Sequence, residues 1–194
     1  MSFLPSQRRR FTPQEYLTIE RASSFRSEYL HGEIYAMAGA SPAHTTIVNN
    51  LMGEVYARLK GTPCQGMALD MKVTLGNEAL FAYPDFLIVC GEAQFLDAEQ
   101  DVLTNPVVLI EVLSPSTEKY DRTTKFDLYK NIPTLREYVL IAQDAPCVER
   151  FVRGENGEWE QRLVTGLEGS FTLESVSITL ALRDLYDRLT FSAG

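Results

Sequence analysis

Residues 107–117 read VVLIEVLSPST: a run that is apolar on both faces except at Glu111, followed by a polar connection built around Pro115. A short β-branched run without alternation predicts a central strand covered on both sides, because a strand with one wet face would alternate. Two similar runs precede it, Ala68 to Leu75 and Phe86 to Cys90, and Glu137 to Ala142 has the same character. Between them, Thr117 to Asn131 carries Tyr120, Phe126, Leu128 and Tyr129 among charged residues, which predicts an amphipathic helix stopped by Pro133.

Further from the centre the local signals are stronger. Ser41-Pro42 is a cap followed by a first-turn proline, and Ile47, Val48, Leu51, Met52, Val55, Tyr56 and Leu59 then share one helical face up to Lys60-Gly61. Thr12-Pro13-Gln14-Glu15 is a capping box that opens a short helix to about Arg21. His31-Gly32 and Asn156-Gly157 each sit between extended-looking runs and predict hairpins near the two ends. A last strand around Ser177 to Leu180 and a helix from Leu182 to Leu189 close the pattern. The expected fold is α/β, a mixed central sheet flanked by helices with antiparallel hairpins added at both ends. It forms one domain over residues 1–194, with 1–10 as a flexible arm.

Composition narrows the function. The 194 residues are 45% hydrophobic and 23% charged, an ordinary globular balance. No stretch approaches the ~20 apolar residues of a membrane span, and Met1 to Arg10 has no signal-peptide pattern, so the expected location is cytoplasmic with no membrane partner. Eighteen basic against 26 acidic residues give a net charge of −8, which excludes a broad basic coat for nucleic acid but not a local site whose charge a bound cation reverses. Cys64, Cys90 and Cys147 lie far apart without a CxxC spacing, so reduced thiols are expected, with neither a disulfide framework nor a zinc site. A Walker-type glycine loop and a GxSxG elbow are both missing, which argues against nucleotide-driven motors and serine hydrolases.

Glu111 carries the chemical signal. Its neighbours bury it on either face, and an ionised carboxylate there costs several kcal/mol unless it is paired, hydrogen-bonded or metal-bound. Asp85, in Tyr83-Pro84-Asp85, puts a second acid at the start of another buried strand. If those strands pair, Asp85, Glu111 and the Val112 carbonyl form the oxygen-only environment that Mg²⁺ or Mn²⁺ prefers. Lys125 lies on the following helix, four residues after Asp121; it is either a plain surface pair with that aspartate or an amine returned over the acids by the Ser114–Thr117 connection.

Taken together, Pro84-Asp85, the run from Glu111 to Thr117, and Asp121-Arg122 followed by Lys125 and Tyr129 resemble the Uma-type family of endonuclease-like proteins, long catalogued as a domain of unknown function. The resemblance runs from the Glu28–Glu33 segment through His44 to Arg136-Glu137-Tyr138. It implies a restriction-endonuclease-like core of the PD-(D/E)XK kind, in which a lysine stands two residues after the glutamate. Here that position is Leu113, so the resemblance implies a lysine relocated to a helix, Lys125, with Lys72 in reserve. Glu28, Glu33 and His44 take supporting roles.

The expected function is therefore Mg²⁺- or Mn²⁺-dependent cleavage of DNA. Asp85 and Glu111 hold the metal, Lys125 completes the site, and Lys119 and Arg122, with Lys130 and Arg136 nearby, contact phosphates; a homodimer would supply two sites. Two rivals stay open: a catalytically inactive nuclease-fold binding module, and a phosphoesterase acting on small molecules, which would need a closed pocket.

Overall fold

The computed structural model describes residues 9–76 and 78–191. The expected flexible arm therefore lies largely outside the described residues; within it, Arg9 pairs with Glu15.

The chain is mixed α/β, with two mixed sheets and a separate hairpin. Helix α1 (Pro13–Ala22) starts at the capping box, where Thr12 accepts from the Glu15 N–H while the Glu15 carboxylate accepts from the Thr12 N–H. Strands β1 (Ser27–Leu30) and β2 (Glu33–Ala36) flank a turn in which His31 and Gly32 both have positive φ, the twist that a two-residue hairpin demands. Helix α2 (Pro42–Leu59) follows, its N-cap Ser41 accepting from the His44 N–H.

Then come β3 (Cys64–Ala68), β4 (Lys72–Thr74), β5 (Leu80–Ala82), β6 (Phe86–Cys90), β7 (Val102–Leu103) and β8 (Val108–Val112). The helical run between β8 and β9 has three parts, α3 (Glu118–Tyr120), a π-helical turn (Asp121–Lys125) and α4 (Phe126–Tyr129). Strands β9 (Glu137–Ile141), β10 (Cys147–Arg153), β11 (Trp159–Thr165), β12 (Ser170–Leu173) and β13 (Ile178–Ala181) lead to α5 (Leu182–Leu185).

The six-stranded sheet has the order β11-β10-β9-β8-β6-β3, and the five-stranded sheet β2-β1-β5-β4-β7; β12 pairs only with β13. Thus β8 is central, antiparallel to β6 and parallel to β9, and the helical run is the crossover that a parallel pair requires. One face of the six-stranded sheet packs on the α2 stripe of Ile47, Val48, Leu51, Val55 and Leu59, together with β12, β13 and α5. Burying each such side chain contributes about 1.5–3 kcal/mol, an upper estimate because the unfolded chain already hides some of that surface. The opposite face, with Leu87, Leu109, Tyr138 and Leu140, meets Val73, Leu80 and Leu103 of the smaller sheet and Phe126 and Tyr129 of α4. Helix α1 covers the smaller sheet through Tyr16 and Leu17.

Three expectations are corrected. The single central sheet is two sheets, and the supposed strand Ala68 to Leu75 breaks at Leu69, whose φ of 65° turns the chain from one sheet into the other. The thiols expected to be reduced include a disulfide, Cys64–Cys90, because the β3–β6 register sets these two residues directly opposite each other. Finally, the helix after β8 is not one regular amphipathic α-helix but is widened at its middle by the π turn.

The small sheet is tied to α1 by ions. Asp101 accepts from Arg21 (2.7 Å) and Lys72 (2.8 Å), and these cations hold its carboxyl down to about 2. An acid with a depressed folded pKa stabilises above its unfolded value, near 4, and loses that contribution as pH falls through about 2. With Asp101 28% exposed, the contribution is screened to about 1 kcal/mol. Asp101→Asn is expected to lower the unfolding free energy measured by urea titration at pH 7 by that amount, with the gap to wild type closing toward pH 2.

Candidate active site

Pro84 keeps the chain extended ahead of β6, so Asp85 comes level with Glu111 one residue beyond the paired positions Phe86 and Ile110. Asp85 Oδ2 accepts from the Val112 N–H at 2.7 Å and lies 3.1 Å from His44 Nε2. His44 reaches it from the first turn of α2, whose position is fixed by a short relay: Ser41 Oγ donates to Gln143, and the Gln143 amide donates to the Leu113 carbonyl. Burial is the largest influence on the His44 pKa and lowers it, but the hydrogen bond to Asp85, the charge of that carboxylate and the smaller contributions of Val112 and Asp121 together raise it on balance.

Glu111 is 4% exposed and points into the face shared by Tyr129 and Tyr138. Its Oε1 forms an ion pair with Lys125 Nζ at 2.9 Å and accepts a hydrogen bond from the Tyr129 hydroxyl at 3.2 Å. Lys125 Nζ also donates to Glu28 Oε1 at 3.0 Å and lies 3.7 Å from Asp121 Oδ1. Glu28 is in turn held by the Tyr83 N–H at 3.1 Å. The π turn brings Asp121 and Lys125 inward together, and the Tyr138 hydroxyl pins the turn by donating to the Asp121 carbonyl. Such turns recur at functional sites because they re-aim side chains that a regular helix would place elsewhere.

The electrostatics are one-sided. Glu28, Asp85, Glu111 and Asp121 face a single lysine and His44. Burial pushes the Glu111 and Asp121 carboxyls up, only partly opposed by Lys125. For Lys125, burial lowers the pKa, but Glu111 and Glu28 outweigh it and hold the ammonium charged. Surplus carboxylate in a low-dielectric setting is the charge pattern a hard divalent cation would neutralise, and oxygen donors are the type it takes. The chemistry and charge of the donors fit such an ion. Among the described residues, however, no three acid, histidine or cysteine side chains stand as a ready-made cage.

The structure thus brings Asp85, Glu111, Lys125, Glu28 and His44 together, and two other expected contributors lie elsewhere. Glu33 is a hairpin residue whose carboxylate takes the Tyr35 hydroxyl. Lys72 spends its ammonium on Asp101 and the Tyr83 hydroxyl. Of the expected phosphate contacts, Lys119 and Arg136 are exposed, whereas Arg122 is paired with Glu118 and Glu149, and Lys130 with Asp127. Arg122 was expected to be available because Glu149 is distant in sequence and reaches it only through β10. Asp121 and Tyr129, both in the run that carries the family resemblance, are direct partners of the cluster; for Asp121 the i,i+4 spacing to Lys125 was the local signal.

Two mixed sheets, with buried acids and a lysine gathered where the central strands β6 and β8 meet the crossover helices, define a class of α/β protein built around a carboxylate–lysine centre. The chain belongs to the Uma2 family, described as "Putative restriction endonuclease", which matches residues 13–183. It is 32% identical over 184 residues to an uncharacterized protein of Synechocystis sp. (strain ATCC 27184 / PCC 6803 / Kazusa), covering 94% of each chain. It is 34% identical over 158 residues to a second uncharacterized protein of that organism, covering 81% of this chain and 88% of the other. Its fold is similar to a crystal structure described as "a putative nuclease belonging to DUF820" from Anabaena variabilis ATCC 29413, with a TM-score of 0.75 at 18% identity, covering 91% of this chain and 97% of the other. Among the described residues, no helix is long and apolar enough to cross a membrane.

Proposed function

We propose that the chain is a metal-dependent DNA endonuclease with a restriction-endonuclease-like core, its lysine moved from the strand to the crossover helix. The observation that carries this reading is the position of Lys125 Nζ, 2.9 Å from Glu111 and 3.0 Å from Glu28, although the amine arrives from a different element from the one the nuclease motif uses. Asp85 and Glu111, together with the Val112 carbonyl, would hold Mg²⁺ or Mn²⁺. A divalent ion bound there supplies Lewis acidity toward a phosphate oxygen and lowers the pKa of a coordinated water. Lys125 offers a fixed positive charge to the negative charge that builds up during phosphodiester hydrolysis, already oriented and shielded from water. Tyr129 and Glu28 hold the glutamate and the lysine in place, and His44 with the Val112 N–H does the same for Asp85.

A second reading, a nuclease-fold binding module without activity, draws on one observation: Glu111 Oε1 is already committed to Lys125 and Tyr129, with no ready-made cage around it. Nothing favours a small-molecule phosphoesterase in the same way. Two cavities of about 220 and 250 Å³ are lined by residues such as Val148, Arg150, Arg153 and Glu174, and none of their lining residues belongs to the acid cluster.

Plasmid, linear and branched DNA incubated with purified protein in Mg²⁺ or Mn²⁺ separates the two readings. Wild type is expected to nick in metal and not in EDTA, and Asp85→Ala to lose roughly 10²–10³-fold in rate. Folded wild type that cuts none of these substrates in either metal would leave the binding module standing in place of the nuclease.

A further inference from the structure

Across the six-stranded sheet from Glu111, two arginines stand directly opposite each other. The β10–β11 register pairs Arg150 with Arg162, and Arg150 lies beside Val139 of β9, whereas Glu111 lies beside Leu140; strand alternation therefore puts the arginines on the other face. Like charges in directly opposed cross-strand positions repel unless an anion lies between them. Here that anion is one carboxylate: Glu174 Oε1 accepts from Arg150 Nη2 at 3.0 Å and from Arg162 Nη1, while Arg162 Nη2 donates to Glu160 at 2.9 Å. Glu174 reaches them from the turn after β12, and its side chain is 48% exposed. Arg150 is 5% exposed, and its Nε and Nη1 are buried without an acceptor among the described residues. Its second acid, Glu137, stands off with Oε2 at 3.8 Å from Nη1, and that oxygen is itself without a donor among the described residues.

A guanidinium carries several N–H donors, and a buried one normally has them met. Beside this one is a cavity of about 220 Å³, walled by Arg150 and Arg162 on the sheet and by Phe171, Thr172 and Glu174 on β12 and the turn that follows it. Glu174 also lines a second cavity, of about 250 Å³, together with Arg136, Glu137 and Arg153. Arg136, Arg150, Arg153 and Arg162 thus gather around only Glu137, Glu160 and Glu174, on a chain whose net charge is −8. Burial raises the Glu137 carboxyl, against the hydrogen bonds from Ser175, which weakens it as a counter-ion. What this face lacks is negatively charged oxygen, and a carboxylate does not fill the need, because Glu174 already offers one and leaves Nε and Nη1 of Arg150 unmet. A phosphoryl group has more oxygens to share among separate donors, and arginine is the side chain suited to it. We infer that this cavity is a binding site for phosphate or a small phosphate monoester, whose oxygens accept from Arg150, Arg162 and the Thr172 hydroxyl while the half-exposed Glu174 side chain turns out to solvent. The site lies across the sheet from the acid cluster and is independent of the nuclease reading.

The test is a titration of the full chain with inorganic phosphate, in EDTA and at constant ionic strength, read by calorimetry and by the NMR signal of the Arg150 Nε–H. EDTA keeps divalent metal, and phosphate carried with it, away from the acid cluster. Wild type is expected to bind with a Kd of about 1 mM or tighter and to shift the Arg150 Nε–H signal. At ten times that Kd its Tm should rise by about 3–6 °C, and acetate at the same concentration should leave the Tm unchanged. Arg162→Gln changes a half-exposed residue on the sheet's edge strand, so the fold is kept, and it should weaken binding at least about tenfold; Arg150→Met should lose it. Glu174→Gln removes the acid that competes for both arginines and should bind more tightly than wild type. No heat and no signal shift up to about 10 mM phosphate, as when water alone fills the cavity, overturns the inference. Binding that Arg162→Gln retains in full, that acetate matches, or that Glu174→Gln weakens overturns it equally, and none of these results bears on DNA cleavage.

Discussion

Replacing Lys125 by methionine is expected to lower the unfolding free energy by about 3–5 kcal/mol and to abolish metal-dependent cleavage. Methionine matches the length of the lysine stem, so little packing is lost and the cost is electrostatic. The lysine side chain is 5% exposed, and its ammonium is shared by Glu111, Glu28 and Asp121. Once it is gone, those carboxylates face one another in the interior without a counter-ion, and each must take up a proton or draw in water. Urea unfolding at pH 7 measures the loss, and the double variant Lys125→Met/Glu111→Gln identifies its source. If the penalty is the uncompensated glutamate, the second change should recover at least half of it, a coupling of more than about 1 kcal/mol between side chains in direct contact. A single-variant loss below about 1 kcal/mol would mean that the lysine is not the charge around which this cluster folds.

How much of this could be read from the sequence depends on whether the cause was local. Helix α2, the capping box at Thr12 and the two hairpins are written in neighbouring residues: a cap, a spacing, or a pair that tolerates positive φ at His31-Gly32. The central position of β8 was legible because burial on both faces leaves no alternation. By contrast, the break at Leu69 and the Cys64–Cys90 bond follow from register with β6, which no local pattern states. Strands β5 and β7, three and two residues long, are too short to show a period. In the candidate site, Glu111 and Asp85 stood out as acids in apolar surroundings. The meeting of Lys125 with Glu28 depends on a hairpin 97 residues away in sequence, and only the family resemblance pointed to that segment. Arg122 shows the converse: a basic residue beside the site reads as a phosphate contact until the fold supplies Glu149.

Glu111→Gln is expected to act in the opposite direction on stability while removing activity. The cluster holds more carboxylates than cations, so deleting one negative charge relieves repulsion instead of exposing an unpaired group. Lys125 keeps Glu28 and Asp121, and the glutamine carbonyl still accepts from the Tyr129 hydroxyl. The pH dependence gives the sign. Burial raises the Glu111 carboxyl in the folded state above its unfolded value, so the native protein binds the extra proton. Its contribution is therefore fully present below about pH 4.5 and is lost as pH rises through the folded pKa. Glutamine cannot ionise and suffers no such loss. The variant should match wild type in acid and exceed it at neutral pH by on the order of 1 kcal/mol, or about 2–4 °C in Tm for a chain of this size. Added Mg²⁺ or Mn²⁺ should raise the Tm of wild type, because a ligand that binds only the folded state stabilises it, and should leave the variant where it was. Cleavage should fall by at least roughly 10²-fold. Thermal melts from pH 4 to 8, with and without metal, alongside the nicking assay, test all of these together. A variant that is less stable than wild type at every pH would show that Glu111 is held as one half of a favourable ion pair, and the case for a metal at this position would fail with it.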